Sequence, residues 1–547
     1  MIIAWQYAEI NERLRPFGAM DRGRTMKAEQ CRRLQRSVMR NSICRLLETA
    51  AEKWPERIAL ADEQEKLDYS DYREKARRIG SAIRRLCGDA GRGAVAVLVD
   101  RSIRIPLCFL GVAYSGNYYV PVDGAMPEQR RRLIFTKAEP LLVIDARRKA
   151  EKKEGVVLLE ELVGDEGDGW REALEQQIDT DPLCVIFTSG STGVPKGVLK
   201  THRSVLDMCS VFSETFGFTE ENIFGNQAPF DFDVSTKDIY NSLYAGARLE
   251  ILSPKLFRFP GMLPSYLTER GVDTLEWAVS ALRILAECRC FDGKEVPPVR
   301  NILFSGEQMP VKVLAYWRGT FPDCRFVNLY GPTEISGNCS FHVVERDYGN
   351  GEALPIGRPF SNTRLFLLNE SLEYIRNADE TGELCFTGGC MALGYLNDPE
   401  RTAEAFIPDP ESRTGISRIY RTGDLGYRRP DGEFVFVGRK DTQIKHMGHR
   451  IELGEVETAV NGVNGVEISC CLYDQENCRI VCFYQAKEEC GKEIALTLAK
   501  ALPKYMWPAE YVYYKKLPLN RTSKIDRVLL KQKLKEGNYG TADQDHE

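Results

Sequence analysis

Phe187-Thr188-Ser189-Gly190-Ser191-Thr192-Gly193-Val194-Pro195-Lys196-Gly197-Val198 is the stretch on which the reading of this chain turns. It follows the apolar run Leu183-Cys184-Val185-Ile186-Phe187, which predicts a buried strand, so the glycine- and hydroxyl-rich part is a loop leaving a strand end. Such a loop suits phosphate. Glycines let backbone N–H groups turn towards an anion with no Cβ in the way, Thr188, Ser189, Ser191 and Thr192 add hydroxyl donors, and Lys196 adds a positive charge. The P-loop of nucleotide hydrolases needs Gly-Lys-Ser/Thr; here Pro195 precedes Lys196 and Gly197 follows it, so that motif is absent. On this stretch alone, a surface loop with no ligand stays open.

The 547 residues are too many for one compact core, which predicts two or more domains. With 43% hydrophobic and 28% charged residues and a net charge of −5, the composition is globular and gives bulk charge no means of holding nucleic acid. Seventeen cysteines are dispersed through apolar runs such as Val481-Cys482-Phe483, the pattern of buried free thiols in a reducing compartment, and no CxxC pair suggests zinc. No apolar run reaches transmembrane length and Met1-Ile2-Ile3-Ala4-Trp5 is too short for a signal-peptide core, so a cytoplasmic protein without a membrane partner is expected.

Residues 1–41 are arginine-rich without an apolar face and are expected to be a disordered extension, with a basic arm as the alternative. Organised structure should begin at Ser42: Ile43, Leu46, Leu47, Ala50 and Ala51 have helical spacing, with Asn41 or Ser42 as cap. From there predicted strands (94–99, 118–122, 141–144) alternate with helix (to 113), which implies parallel sheets flanked by helices. Asp233 and Ser235 are N-cap candidates for the next helix, and one turn on, at i+4, Lys237 shares a face with Asp233, either reaching a pocket or forming an intrahelical pair. Two strands running into tight turns, 301–307 and 326–334, can form one crevice beyond their carboxyl ends.

The phosphate loop resembles that of the adenylate-forming enzymes: the amino-acid-activating domains of nonribosomal peptide synthetases, D-alanine–carrier protein ligases, acyl-CoA synthetases and luciferases. The likeness continues in order through Phe232-Asp233-Val234-Ser235, Phe304-Ser305-Gly306-Glu307, Asn328-Leu329-Tyr330-Gly331-Pro332-Thr333-Glu334, Tyr420-Arg421-Thr422-Gly423-Asp424 and Gly438-Arg439-Lys440-Asp441, then Gly448 to Glu457, which is expected to open a helix, and Asn520-Arg521-Thr522-Ser523-Lys524, so it covers about residues 42 to 536. Gly394-Tyr395, also part of it, reads as structural.

The resemblance implies an α/β fold: a large N-terminal domain (42–440) of stacked mixed sheets flanked by helices, a small mobile α+β lid (441–536), and a disordered tail (537–547). It implies ATP and Mg²⁺. Thr188, Ser189, Gly190, Ser191, Thr192, Gly193 and Lys196 would hold phosphates, and Gly306, Glu307, Asn328, Tyr330 and Gly331 the adenine side, with Tyr330 stacking on the base. Asp424 would take the ribose hydroxyls with Arg439 in support, Thr333 the α-phosphate and Glu334 the metal, while Lys524 would be catalytic, although Ser523 stands where the family usually has glycine. Asp441 would be the hinge and Gly448 would face a pantetheine arm.

In the amino-acid-activating branch an Asp at the position of Asp233 receives the substrate's α-ammonium, and Val234, Lys237, Glu276, Leu303, Ser305, Leu329, Gly337 and Asn338 would surround its side chain. A lysine there favours an acidic or strongly polar amino acid. The implied function is aminoacyl-adenylate formation and transfer to a separate phosphopantetheinylated carrier protein, from a stand-alone enzyme. A carboxylic acid–CoA ligase, which has no ammonium for Asp233, and a catalytically silent nucleotide-binding module are the alternatives.

Overall fold

The computed structural model describes residues 42–88, 92–164, 167–190, 193–349, 352–414, 417–520 and 525–537. Its first element, helix Ile43–Lys53, buries Ile43, Cys44, Leu46, Leu47, Ala50 and Ala51, the stripe set by their spacing, and Ser42 is the cap, its hydroxyl accepting from the Arg45 N–H.

Three larger sheets follow among the described residues. In the first, of seven strands, Val156–Leu158, Leu142–Asp145, Ala94–Val99, Tyr118–Asp123 and Pro182–Thr188 (β1) pair parallel in that order. Lys196–Thr201 (β2) then pairs antiparallel with β1, opposing Thr188 to Lys196, and Gly394–Tyr395 completes the edge. The glycine-rich stretch is thus the connection of an antiparallel hairpin. Helix Asp233–Ala245 (α1) packs between this sheet and the next: Ile239, Tyr240 and Leu243 share a buried cluster with Val95 and Val97 of the first sheet and Leu249 and Leu303 of the second.

At the centre of the nine-stranded second sheet, Thr274–Ala278 (β3), Asn301–Ser305 (β4) and Arg325–Tyr330 (β5) run parallel, with Ala278 opposite Ser305 and Phe304 opposite Asn328. Their carboxyl ends therefore reach one edge together, the position where parallel sheets bind ligands. A third, antiparallel sheet of six strands carries Gly382–Gly388, Arg418–Arg428 and Phe434–Arg439.

The C-terminal part has its own small sheets and cores. Gln443–His446 (β6) and His449–Glu452 (β7) form a hairpin, helix Leu453–Asn461 (α2) follows, and Val466–Asp474, Arg479–Ala486 and Glu510–Tyr514 make a three-stranded sheet. The segment from Gly448 was expected to open a helix; it begins instead with β7, and the helix starts at Leu453. Met447 and Gly448 both have positive φ (53° and 80°), the conformation of a two-residue hairpin turn, and residues 449–452 therefore pair back on β6. All cysteines among the described residues are free thiols, and no described helix is long and apolar enough to cross a membrane.

Candidate active site

One cavity lies where the β1–β2 loop, the start of α1 and the turns after β4 and β5 converge, and the β6–β7 hairpin closes over it: Ser189, Asp233, Lys237, Ser305, Thr333 and Arg450 all line it. The loop's shape depends on glycine. A Cβ on Gly190 would lie 1.9 Å from the Val194 carbonyl oxygen, and Gly193 has φ +80°. The donors of Thr188, Ser189 and Gly190 already meet acceptors. The Ser189 hydroxyl donates to the Arg450 carbonyl at 2.6 Å and accepts from the Glu452 N–H at 3.0 Å, and the Gly190 N–H donates to Glu455 at 3.2 Å. Thr188 donates weakly to the Lys196 carbonyl oxygen at 3.5 Å. Ser191, Thr192 and Lys524 lie outside the described residues.

Glu334 is buried beneath this loop, accepting from the Tyr395 hydroxyl at 2.6 Å and pairing with Arg450 at 2.8 Å. Burial pushes its carboxyl up, but Arg450, Lys196 and the tyrosine hydroxyls outweigh that and hold its pKa at about 2. Lys196 Nζ is 3.9 Å from Glu334 and 4.0 Å from Glu452; burial, with Arg450 nearby, lowers its pKa to about 8. The site thus fixes an anion and a cation side by side before any ligand arrives.

Among the residues expected to meet adenine, Gly306 and Gly331 line the cavity, and Glu307 accepts from the Gly448 N–H at 2.6 Å. Tyr330 is only 5% exposed; its hydroxyl donates to Asp424 at 2.6 Å and Lys445 lies over its ring at 5.5 Å. Asp424 also pairs with Arg439, which holds Asp441 through two contacts of 2.6 Å. Asn328 is committed to the Pro355 carbonyl oxygen at 2.7 Å, so it supports the strand end from behind.

At the start of α1 neither N-cap candidate caps. Phe232 occupies the cap position without a side-chain bond, Asp233 is the first helical residue, and Ser235 donates to the Phe232 carbonyl oxygen at 2.6 Å. Asp233 faces the cavity and ion-pairs with Lys200 of β2, whose side chain is fully buried. Burial raises the Asp233 carboxyl and Lys200 opposes the shift. Lys237 does reach the cavity wall: its Nζ donates to Ser305 Oγ at 3.0 Å and to Asn338 Oδ1 at 3.2 Å, both neutral, and no intrahelical pair with Asp233 forms. Val234 and Gly337 also line the cavity. Leu303 and Leu329 are core residues behind it, and Glu276 is buried against Asn241 at 3.1 Å, its pKa raised to about 7 by burial against the pull of Lys237 and the Asn241 bond.

Lys200, Tyr395 and Arg450 are the site residues that local sequence reading misses. Lys200 had one signal: a lysine two residues from Val198, hence on the inward face of a buried strand. The other two meet Glu334 only through long-range contacts, of which the sequence gives no local sign.

A family model described as AMP-binding enzyme matches residues 47–396. A mycosubtilin synthase subunit of Bacillus subtilis is 32% identical over 504 residues, 89% of this chain and 19% of that protein. Tyrocidine synthase 1 of Brevibacillus parabrevis is 31% identical over 498 residues, 89% of this chain and 45% of that protein. The chain therefore spans less than half the length of these relatives. Among solved structures, holo-PA1221, an NRPS protein containing adenylation and PCP domains bound to a vinylsulfonamide inhibitor, superposes with a TM-score of 0.78 at 24% identity, over 90% of this chain and 84% of that one. The crystal structure of IdnL1 does so with a TM-score of 0.74 at 27% identity, over 87% and 99%.

Proposed function

This chain belongs to the AMP-binding enzyme family as an adenylate-forming, ATP-dependent ligase, and on that premise we propose that it activates an amino acid and passes the acyl group to the phosphopantetheine thiol of a carrier protein. In the first step a substrate carboxylate oxygen attacks the α-phosphorus of ATP, the P–O bond to pyrophosphate breaks, and an acyl-adenylate forms. The cavity suits this reaction because Thr188 and Ser189 at the end of β1, Thr333 after β5, and Asp233 and Lys237 of α1 all line it. Lys524 would stabilise charge at the reacting centre. In the second step the thiol sulfur attacks the acyl carbonyl, AMP leaves and the thiol proton is released. Gly448, at the tip of the β6–β7 hairpin and against the Gly306–Glu307 turn, supports a role beside the incoming arm.

The donor set fits Mg²⁺. Glu334 is a hard carboxylate oxygen donor kept ionised, and its bond to the Arg450 guanidinium means that the position accommodates a cation. Glu334 would hold the metal beside Thr333, and Mg²⁺ would neutralise phosphate charge there. Residues 42–440 would act as the large domain and 441–536 as the lid. Asp441, tied to Arg439, would be the pivot between the two steps.

The observation that carries the amino-acid reading is Asp233, a carboxylate facing the cavity at the first turn of α1. Lys237 adds a side-chain preference: its ammonium hydrogen-bonds two neutral oxygens, and Glu276, Asp238 and Asp233 act on it without an ion-pair contact, so an acidic side chain, glutamate or aspartate, suits it. Amino-acid-dependent ATP–pyrophosphate exchange across a panel of L- and D-amino acids tests both statements. Glutamate or aspartate should lead, and Lys237→Met should lower kcat/KM for the acidic substrate by on the order of 10²-fold while favouring glutamine in relative terms. A small apolar amino acid as best substrate, unaffected by Lys237→Met, refutes the side-chain assignment.

A further inference from the structure

Lys200, next to last in β2, is buried with 0% exposure; its Nζ pairs with Asp233, and among the described residues its only other hydrogen-bond contact is the Ile335 carbonyl oxygen at 3.5 Å. Val198 lies between Lys196 and Lys200 on the same face of the strand, so the two lysines point into one layer: Lys196 towards Glu334, Lys200 towards Asp233. The carboxylate assigned to the substrate's α-ammonium therefore has a cation of its own already. Only Oδ1 of Asp233 is engaged by Lys200, and the side chain faces the cavity, so the second oxygen is available to a ligand.

Resting on the reading of Asp233 as the group that meets the substrate's α-position, we propose that Lys200 is a specificity-determining residue: as the standing counter-ion of Asp233, it lets the site activate carboxylic acids without an α-ammonium as well as those with one. Where a pocket aspartate has no other cation, an acid lacking the amine strands a buried charge, and such acids are rejected strongly. With Lys200 present that penalty is removed, because Asp233 is paired whether or not the ligand carries an amine. A 2-hydroxy acid can still donate to the second oxygen, and a plain acid leaves that oxygen to water. The substrate class thus widens from α-amino acids to 2-hydroxy and unsubstituted acids with the same side chain.

The test is ATP–pyrophosphate exchange with three ligands sharing one side chain: L-glutamate, 2-hydroxyglutarate and glutarate. The wild-type chain should use all three, with kcat/KM values within about tenfold of one another. In Lys200→Met, Asp233 loses its direct ion-pair partner, so the ratio of kcat/KM for glutamate to that for glutarate should rise by on the order of 10²-fold, whatever the change in the absolute rates. Rejection of glutarate and 2-hydroxyglutarate by more than about 10³-fold in the wild type, or a ratio that Lys200→Met leaves unmoved, overturns the proposal. If Lys200→Met does not fold, Asp233→Asn/Lys200→Met removes both charges at similar volume. That variant should lose its preference for the amine and still use glutarate, and discrimination for glutamate at or above the wild-type level would overturn the proposal. Failure of the wild type to exchange with any acid on the wider panel would instead overturn the underlying reading, and this proposal with it.

Discussion

At one end of the cavity Asp233, Lys237 and Glu276 take their partners from residues 200–338: Asp233 has Lys200, Lys237 has Ser305 and Asn338, and Glu276 has Asn241. The other end, at the β1–β2 loop and the turns after β4 and β5, borrows partners from residues 448–455, where Arg450 serves Glu334, the Gly448 N–H serves Glu307, and Glu452 and Glu455 engage the loop. The first side is preformed by sheet and helix packing. The contacts of the second with residues 448–455 last only while the β6–β7 hairpin is in place, and ATP held there as proposed would compete for the same donors and acceptors. On the proposed function, nucleotide binding would thereby be linked to release of the hairpin, whereas acid binding would not.

Breaking the borrowed side at its most buried contact should have the largest effect. Arg130 and Glu455 are 4% and 2% exposed and pair across the junction of α2 with the large sheets. Arg130→Met leaves Glu455 buried without its cation, at a cost of about 3–5 kcal/mol, and Arg130→Met/Glu455→Met should recover most of it. Hydrogen exchange should quicken through α2, residues 453–461, and leave α1 protected; equal loss of protection in α1 would erase the distinction between the sides.

A smaller effect comes from pH. Lys196, lowered to about 8, is charged below that pH and neutral above it, so its pull on phosphate is complete at pH 7 and is lost as pH rises through 8. KM for ATP should therefore climb by up to about tenfold between pH 7 and 9, while KM for the acid stays flat. Lys196→Arg, which keeps its charge, should remove the climb. A parallel rise in both constants would mean that the two sides share one electrostatic field.

The smallest change tests the turn itself. Gly448 has φ +80° and an added Cβ would lie 3.2 Å from the Ala278 Cβ, so Gly448→Ala should cost the closed hairpin about 1–2 kcal/mol. Released more readily, the hairpin should compete less well with ATP, and isothermal titration should give a several-fold lower Kd for the nucleotide. Unchanged or weaker nucleotide binding would show that the hairpin and ATP do not exclude one another.

What could be read in the sequence follows the range of the interactions. The β1–β2 loop was legible because glycine, hydroxyl and lysine spacing is local chemistry, and Lys237 because i and i+4 share a helix face. The N-cap expectation for Asp233 failed because a lysine 33 residues away offers its carboxylate a full charge, where a cap offers only backbone N–H dipoles. The α2 start was misplaced because two successive positive-φ residues overrode the local helical pattern. Leu303 and Leu329 were assigned to the pocket, yet lie behind it, since alternation along a strand gives the face a residue points to but not how far the cavity extends. Arg450 and Tyr395 converge on Glu334 from separate sheets, which no local window contains.

The Lys200–Asp233 pair also bears on how this pocket could be transplanted or retuned. One member sits on a strand of the first sheet and the other on the helix between the sheets, so the recognition unit is not a contiguous cassette. A graft exchanging only the segment from α1 to β5 would import an aspartate matched to its parent's strand and set it against a lysine it never had, or carry Asp233 to a scaffold with no lysine to meet it. Successful exchange requires the crossover to lie before β2, so that strand and helix travel together.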